Sequence, residues 1–314
     1  MNRFRADLVL LVVALIWGSA FAMQRVAAGY FDVFMFNGLR FLLGGLVLLP
    51  FSKFNPLKKS IPADHGGIRG KSNSLPERRL NRRSIVFIVL AGGFLFGAAG
   101  LQQAGLATTT AGNARFITTL YVVLVPVILT VFWKENIHLL SWLAAAIAIL
   151  GSLLLSTRGT LHLSSGDSLE MAGALLWALH VILVSRAVKT MPVLTFSVGQ
   201  YLAAGLFNIV AAFGMKQSLA GLAVGWWTIV YIGLISTAIG YTLQVLGQKY
   251  APPTDATILL SMEAVFAAVT GFIFLQETME VIQLVGCGLI LAAVLVTQLK
   301  SVRVSSANIE LMED

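Results

Sequence analysis

Four ionisable side chains fall inside stretches that are otherwise apolar: Arg40, Arg115, His180 and Glu263. Glu263 is the sharpest case, because it interrupts "TILLSMEAVFAAVTGFIFLQE", residues 257–277. A carboxylate facing lipid costs about 2.5–3.5 kcal/mol on insertion scales. Such a group therefore turns toward a bundle interior or a wet cavity and finds a partner there. A structural ion pair and a working site both meet that demand, and Arg40 and Arg115 are the cations available to Glu263. Other polar groups lie nearby in the chain. Trp17 and Trp177 sit in mid-segment, away from the interfacial belt where tryptophan collects, and can either pack or flank a cavity and stack on a substrate. Gln102 and Gln244 can donate or accept, and Asn113 and Thr118 add polar contacts. His180 has no neighbouring ligand or charge motif, so it is either a satisfied structural histidine or part of a lining. The expected cavity lining is Trp17, Arg40, Gln102, Trp177, His180, Gln244 and Glu263, with Arg40, Arg115 and Glu263 as the candidates for charge pairing.

Other chemistry finds little to build on. His65, His138, His162 and His180 are scattered without metal-ligand spacing. Cys287 stands alone, which removes a disulfide framework and a thiolate site. There is no H-E-x-x-H, no aspartate-rich motif and no Ser-His pair, so an integral membrane enzyme is the weaker alternative. No G-x-x-x-x-G-K-[ST] loop occurs, so direct drive by ATP is not expected. No metal and no cofactor are expected.

The elements that must carry these residues are membrane helices. The chain is 57% hydrophobic and 11% charged, with mean hydropathy +0.85, whereas soluble domains carry about 25% charged residues. A span needs about 20 apolar residues. Ten stretches qualify, near 7–27, 32–51, 84–105, 110–132, 137–156, 168–189, 192–214, 226–248, 255–275 and 280–299. The first imitates a signal peptide, but it has a counterpart later in the chain and is read as a span. Residues 52–83 form a polar, basic, turn-rich loop. Arg40 falls about 12 Å along its helix, Glu263 at a similar depth from the other side, and Arg115 only about 8 Å in, where it can snorkel. Pro126 is expected to bend its helix. Gly233, Gly240 and Gly247, spaced by seven, form a small-residue stripe suited either to static packing or to sliding, and "GFLFG" at 93–97 adds a GxxxG read as an internal contact.

The chain also repeats itself. Leu101, Gln102, Gly105 and Glu135 recur 142 residues later as Leu243, Gln244, Gly247 and Glu277. Asp7, Ala14, Leu15 and Trp17 recur 160 residues later as Asp167, Ala174, Leu175 and Trp177. The difference of 18 fits the longer loop at 52–83. Five helices per half is an odd number, so the halves are expected in opposite orientations, the inverted repeat typical of secondary transporters. The fold expected is therefore all-α integral membrane, with ten transmembrane helices as two inverted five-helix repeats. Residues 1–156 form the first repeat, 157–300 the second, and 301–314 a cytoplasmic tail. With the N-terminus inside, nearly all basic residues flanking the spans fall on the inner face; Arg25, Arg158 and Lys216 alone fall outside. The net charge of +8 is thus read as orientation, not nucleic-acid binding.

Several segments resemble the drug/metabolite transporter superfamily, and within it the ten-helix EamA-like permeases. "LIWGSAFAMQRVA" resembles that family's opening helix and "FNGLRFLLGGLVLLP" its second. "AGNARFITTLYVVLVPVILTVFWKENI" is similar to the fourth with its exit, and "DATILLSMEAVFAAVTGFIFLQETM" to the ninth, where family members often read "SLEPVFAA" and this chain has Ala264 in place of the proline. The resemblance implies a multi-pass cell-membrane protein with both termini cytoplasmic. It implies secondary transport of small metabolites by alternating access, most often export of amino acids or related compounds. A passive channel or facilitator is the alternative. The partners implied are a small-molecule substrate and the lipid bilayer. A monomer is compatible with every feature of the sequence.

Overall fold

The computed structural model describes residues 1–53, 81–106, 108–109, 111–157, 164–275 and 278–313, and these are helical with short connections and no strand. Most of the 52–83 loop, with His65, and the turn carrying His162 lie outside the described residues. The side chains of Arg25 and Asn113, and all those after Leu299, lie outside them too.

α1 (Arg3–Ala27), α2 (Val33–Lys53) and α3 (Arg82–Gly105) are single helices. α1 starts where the Asn2 side chain accepts from the Arg5 N–H, and α3 starts where Asn81 accepts from Ser84. α4 (Ala111–Thr119) and α5 (Tyr121–Trp133) are separated by Leu120. α6 (Leu139–Thr157), α7 (Ser165–Ala187) and α8 (Val193–Gly214) follow, α7 opening on a capping box between Ser164 and Asp167. α9 (Leu222–Tyr231) passes into a π-helical stretch, Ile232–Tyr241, and then into α10 (Thr242–Gln248). α11 (Pro253–Leu260) and α12 (Met262–Leu275) are separated by Ser261, and α13 (Val281–Glu313) runs on through the stretch read as a tail. Among the described residues, eight helical runs are long and apolar enough to cross a membrane. Their outer faces are apolar, as at Leu143 and Leu150 of α6, while Ala144, Ala145 and Ala148 on the same helix are buried. A helix apolar all round belongs in a bilayer.

The two interruptions share a feature that also occurs inside unbroken helices, as at Thr270 and Thr297. Thr119 and Ser261, 142 residues apart, both turn their hydroxyls onto backbone carbonyls of the preceding turn, at Arg115 (2.8 Å) and Ile258 (2.6 Å). Such back-bonding competes with the helix ladder. Pro126, where a bend is expected, lies inside α5. The break at Ser261 forms with Ala264, not proline, three residues on.

Helices of one half pack chiefly on those of the other. α2 lies along α8, and α6 along α13. α3 packs on α7 and α8, as the π stretch and α10 pack on α1 and the π stretch on α2. α1 packs on α11 and α12, as α7 packs on α4 and α5. The closest approaches are at glycine. A Cβ on Gly18 would lie 2.7 Å from the Glu263 carbonyl oxygen, and one on Gly151 would lie 2.7 Å from that of Gly286. The 233/240/247 stripe does not hold to one face. Gly233 meets Leu43 of α2, whereas Gly240 meets Trp17 and Gly247 meets Leu10 of α1. The wider π turn rotates each residue less, so a step of seven no longer returns to the same side. In the GxxxG, Gly97 contacts Leu176 of α7 and Gly93 faces open space.

Candidate functional site

A cavity with about 590 Å³ of empty space, part of it open solvent, is walled by residues of α1–α5, α7, the π stretch and α10–α12. Its wall contains Trp17, Arg40, Gln102, Trp177, Gln244 and Glu263, six of the seven expected residues, with Gln24, Thr118, Tyr121, Ser236 and Tyr241 among the others. His180 is the exception and stands outside the lining. It is fully buried one layer behind, where Nε2 donates to Gln200 Oε1 at 3.0 Å and the ring packs edge-on to Trp177 and Tyr241. Its partner is a glutamine on α8, not a ligand space.

The aromatic wall is built around Tyr241, the last residue of the π stretch. Tyr241 stacks on Trp177 (6.2 Å, 16°) and tilts against Trp17 (4.7 Å, 55°), with Phe41 and Tyr201 behind it. Trp17 donates its indole N–H to the Ser236 carbonyl at 3.3 Å. The two tryptophans matched by the repeat thus hold one tyrosine between them. Tyr241 itself has Ala99 as its repeat partner, so the duplication gives no hint of it.

Arg40 reaches the cavity from α2. Its Nε donates to Asn37 Oδ1 at 2.9 Å, and its guanidinium lies over Phe41 (4.6 Å) and Phe36 (5.5 Å). Among the described residues, the ion pairs lie elsewhere: Arg3 with Asp7 and Asp255, and Arg186 with Glu135. Arg40, 3% exposed, therefore has no carboxylate in contact. Glu263, in the first turn of α12, faces this cavity and also a smaller one of about 280 Å³, lined by Arg115, Thr119 and Ser261. It stands between the two arginines, Arg40 in one space and Arg115 in the other.

Two buried polar atoms at the wall have no partner, the Trp177 indole nitrogen and Gln244 Oε1. Buried polar atoms normally find one, so this wall offers a free donor and a free acceptor. A further group lies just behind. Glu170 of α7 is fully buried, and its Oε2 accepts from the Thr118 hydroxyl at 3.0 Å. That hydroxyl accepts in turn from Gln102 Nε2 at 3.2 Å. Glu170 escapes a reading that starts its span at 168, because it then counts as an interfacial residue. The repeat held a signal: position 170 matches Leu10, which is fully buried. At the far end of α1, Arg3 bridges Asp7 (2.8 Å) and Asp255 (3.0 Å), and Ser141 of α6 reaches Asp255 at 3.4 Å. This network ties α1, α6 and α11 together below the cavity. Among the described residues no group of three or more His, Cys, Asp or Glu side chains is arranged to hold a metal.

Comparison with known proteins gives a consistent picture. The EamA-like transporter family matches residues 4–157 and again 164–299. An uncharacterized transporter of Archaeoglobus fulgidus is 28% identical over 308 residues, covering 96% of this chain and 88% of that protein. The threonine/homoserine exporter RhtA of Escherichia coli K12 is 32% identical over 157 residues, about half of each chain (48% and 52%). A solved crystal structure shares the fold with TM-score 0.75 at 17% identity, covering 94% of this chain and 98% of its own.

Proposed function

Because the chain belongs to the EamA-like transporter family, we propose that it is a secondary transporter of small zwitterionic metabolites. In this reading it exports amino acids or related compounds across the cell membrane by alternating access. The carrying observation is that Arg40 and Glu263 line one cavity without neutralising each other. A buried guanidinium held by Asn37 and two phenyl rings is a fork set for a carboxylate. Glu263 supplies the opposite charge for an ammonium group, and the Trp17–Tyr241–Trp177 wall covers the apolar part. The exporter RhtA, similar over half the chain, supports the amino-acid class.

We infer ten spans in two inverted repeats, 1–156 and 157–300, an arrangement suited to this mechanism. The family match falls in two blocks on those halves. The turn after α1 and the turn after α7 carry the same backbone bonds, Tyr30 and Phe31 to Ala27 and Thr190 and Met191 to Ala187, at a shift of 160. The turns at Gly105 and Gly247 do so at a shift of 142. The order of buried and exposed residues is identical over 12–20 and 172–180. Both termini are then cytoplasmic. The Arg3 network closes the inner side, and Gln24, Gln102 and Thr118 line the outer part of an outward-facing cavity.

The test is counterflow of labelled threonine, homoserine and a wider amino-acid panel in proteoliposomes, with and without a pH gradient. Saturable exchange of an amino acid is expected, and Arg40→Leu should reduce it at least tenfold, the loss of a charge-assisted pair. Folded protein that exchanges no amino acid would overturn the reading.

A further inference from the structure

The buried carboxyl of Glu170 lies outside the wall and is not needed to describe the zwitterion site. It is nonetheless wired to the wall. Its Oε2 accepts from the Thr118 hydroxyl, and a hydroxyl has one proton to give. Thr118 can then only accept from Gln102, which fixes the Gln102 amide with its NH2 group toward Thr118. The Gln102 carbonyl oxygen is left as the end available to the cavity that Gln102 lines. Glu170 is itself held in place. A Cβ on Gly105 would lie 2.7 Å from Glu170 Oε1 and 2.9 Å from its Cγ, so the side chain lies flat on the α3 backbone. Its Oε1 has no hydrogen-bond partner, an arrangement with a stability cost.

We propose that Glu170 is a positioning residue for substrate selection. Through Thr118 it sets Gln102 to present an acceptor oxygen, and this oxygen reads the ammonium group of the substrate. The inference rests on the zwitterion reading and adds the residue that distinguishes an ammonium from a hydroxyl at the same place. Without Glu170, the Thr118 proton is free to turn toward Gln102, the amide can rotate, and its NH2 group then faces the cavity and opposes a cation.

The experiment compares three probes in proteoliposome counterflow: L-threonine, its hydroxy-acid counterpart 2,3-dihydroxybutyrate, and its decarboxylated counterpart 1-amino-2-propanol. The wild type should prefer threonine over the hydroxy acid. Glu170→Met and Thr118→Val should each cut that preference about tenfold or more, the worth of a hydrogen bond to a charged group. Glu170→Gln should retain it, since its amide oxygen still accepts from Thr118. A purely structural role would lower the amount of folded protein without changing the ratio between probes. Thr118→Val keeps the side-chain volume, so it carries the test if Glu170→Met does not fold. An unchanged preference in folded Thr118→Val overturns the proposal and leaves the zwitterion reading standing. If the wild type exchanges the amine but not threonine, the zwitterion reading falls. Glu170 is then judged by the amine against propane-1,2-diol, with the same tenfold criterion. If no ammonium-bearing probe is exchanged, both fall.

Discussion

Glu263 poses a choice that two substitutions resolve. If its carboxylate serves as a fixed hydrogen-bond or charge partner, Glu263→Gln should retain most transport and Glu263→Ala should lose it. If it carries a proton through the cycle, both should fail and pH-driven flux should vanish, because an amide cannot titrate. Wild-type flux from a folded Ala variant would remove Glu263 from the mechanism. The expected aromatic contribution is tested in the same way. Trp17→Ala and Trp177→Ala should each weaken binding, by about 0.5–1.5 kcal/mol per lost stacking contact beyond area burial, while membrane insertion is unchanged. An equal loss of folded protein would return them to a packing role. Much of this wall was legible in the sequence, because an ionisable or mid-span aromatic residue in an apolar run has few places to go. Tyr241 and Glu170 were not. Tyr241 closes a π stretch that no residue pattern announces, and Glu170 is fully buried although it lies near the start of α7.

Among the helices, the contact of α1 with α12 is the most exposed to a single change. Gly18 lies against the backbone at Glu263 and Ala267, where a Cβ would come within 2.7–2.9 Å. Backbone cannot swing aside as a side-chain end can. Gly18→Ala should therefore push the two helices apart and destabilise by about 1–3 kcal/mol, the usual penalty of overpacking, read as a lower thermal midpoint in detergent. It should also move Glu263 and weaken transport in whatever protein remains folded. Gly247→Ala meets Cγ and Cδ2 of Leu10 (2.7 and 2.8 Å), a side chain rather than backbone, and should cost less. An equal or greater loss there would contradict this account. The sequence located most helical segments to within a few residues, since apolar length is a strong signal, but it ended the last one near 299 where α13 runs on to Glu313. It did not locate the interruptions. The residue pattern pointed to a bend at Pro126, whereas the interruptions fall at Leu120 and Ser261. The glycine spacing of seven implied one face because an ordinary α-helix was assumed.

For the molecule as a whole, ten spans with both termini inside predict that cysteines placed in 52–83 are labelled only by reagents that cross the membrane. Labelling from outside by an impermeant reagent would sink both the orientation and the inverted repeat. The residue matches at shifts of 142 and 160 that point to a duplication have a counterpart in the turns, whose backbone bonds recur at the same shifts. The interleaving of the halves was not legible, because pairings such as α2 with α8 leave no local pattern in a chain that is apolar everywhere. That interleaving bears on biosynthesis. When the ribosome has delivered α6, its neighbour α13 is still unmade, and when α2 enters the bilayer, α8 is more than a hundred residues away. The early helices must wait in lipid with Arg40 and Asp7 short of their final surroundings, Asp7 in particular lacking Asp255 and the rest of its network. A chain stopped after the first five helices should therefore insert but remain prone to degradation. Supplying residues 157–314 as a separate polypeptide should rescue it, provided that half inserts in the opposite sense, which makes co-expression of the two pieces an assay of quality control as much as of folding.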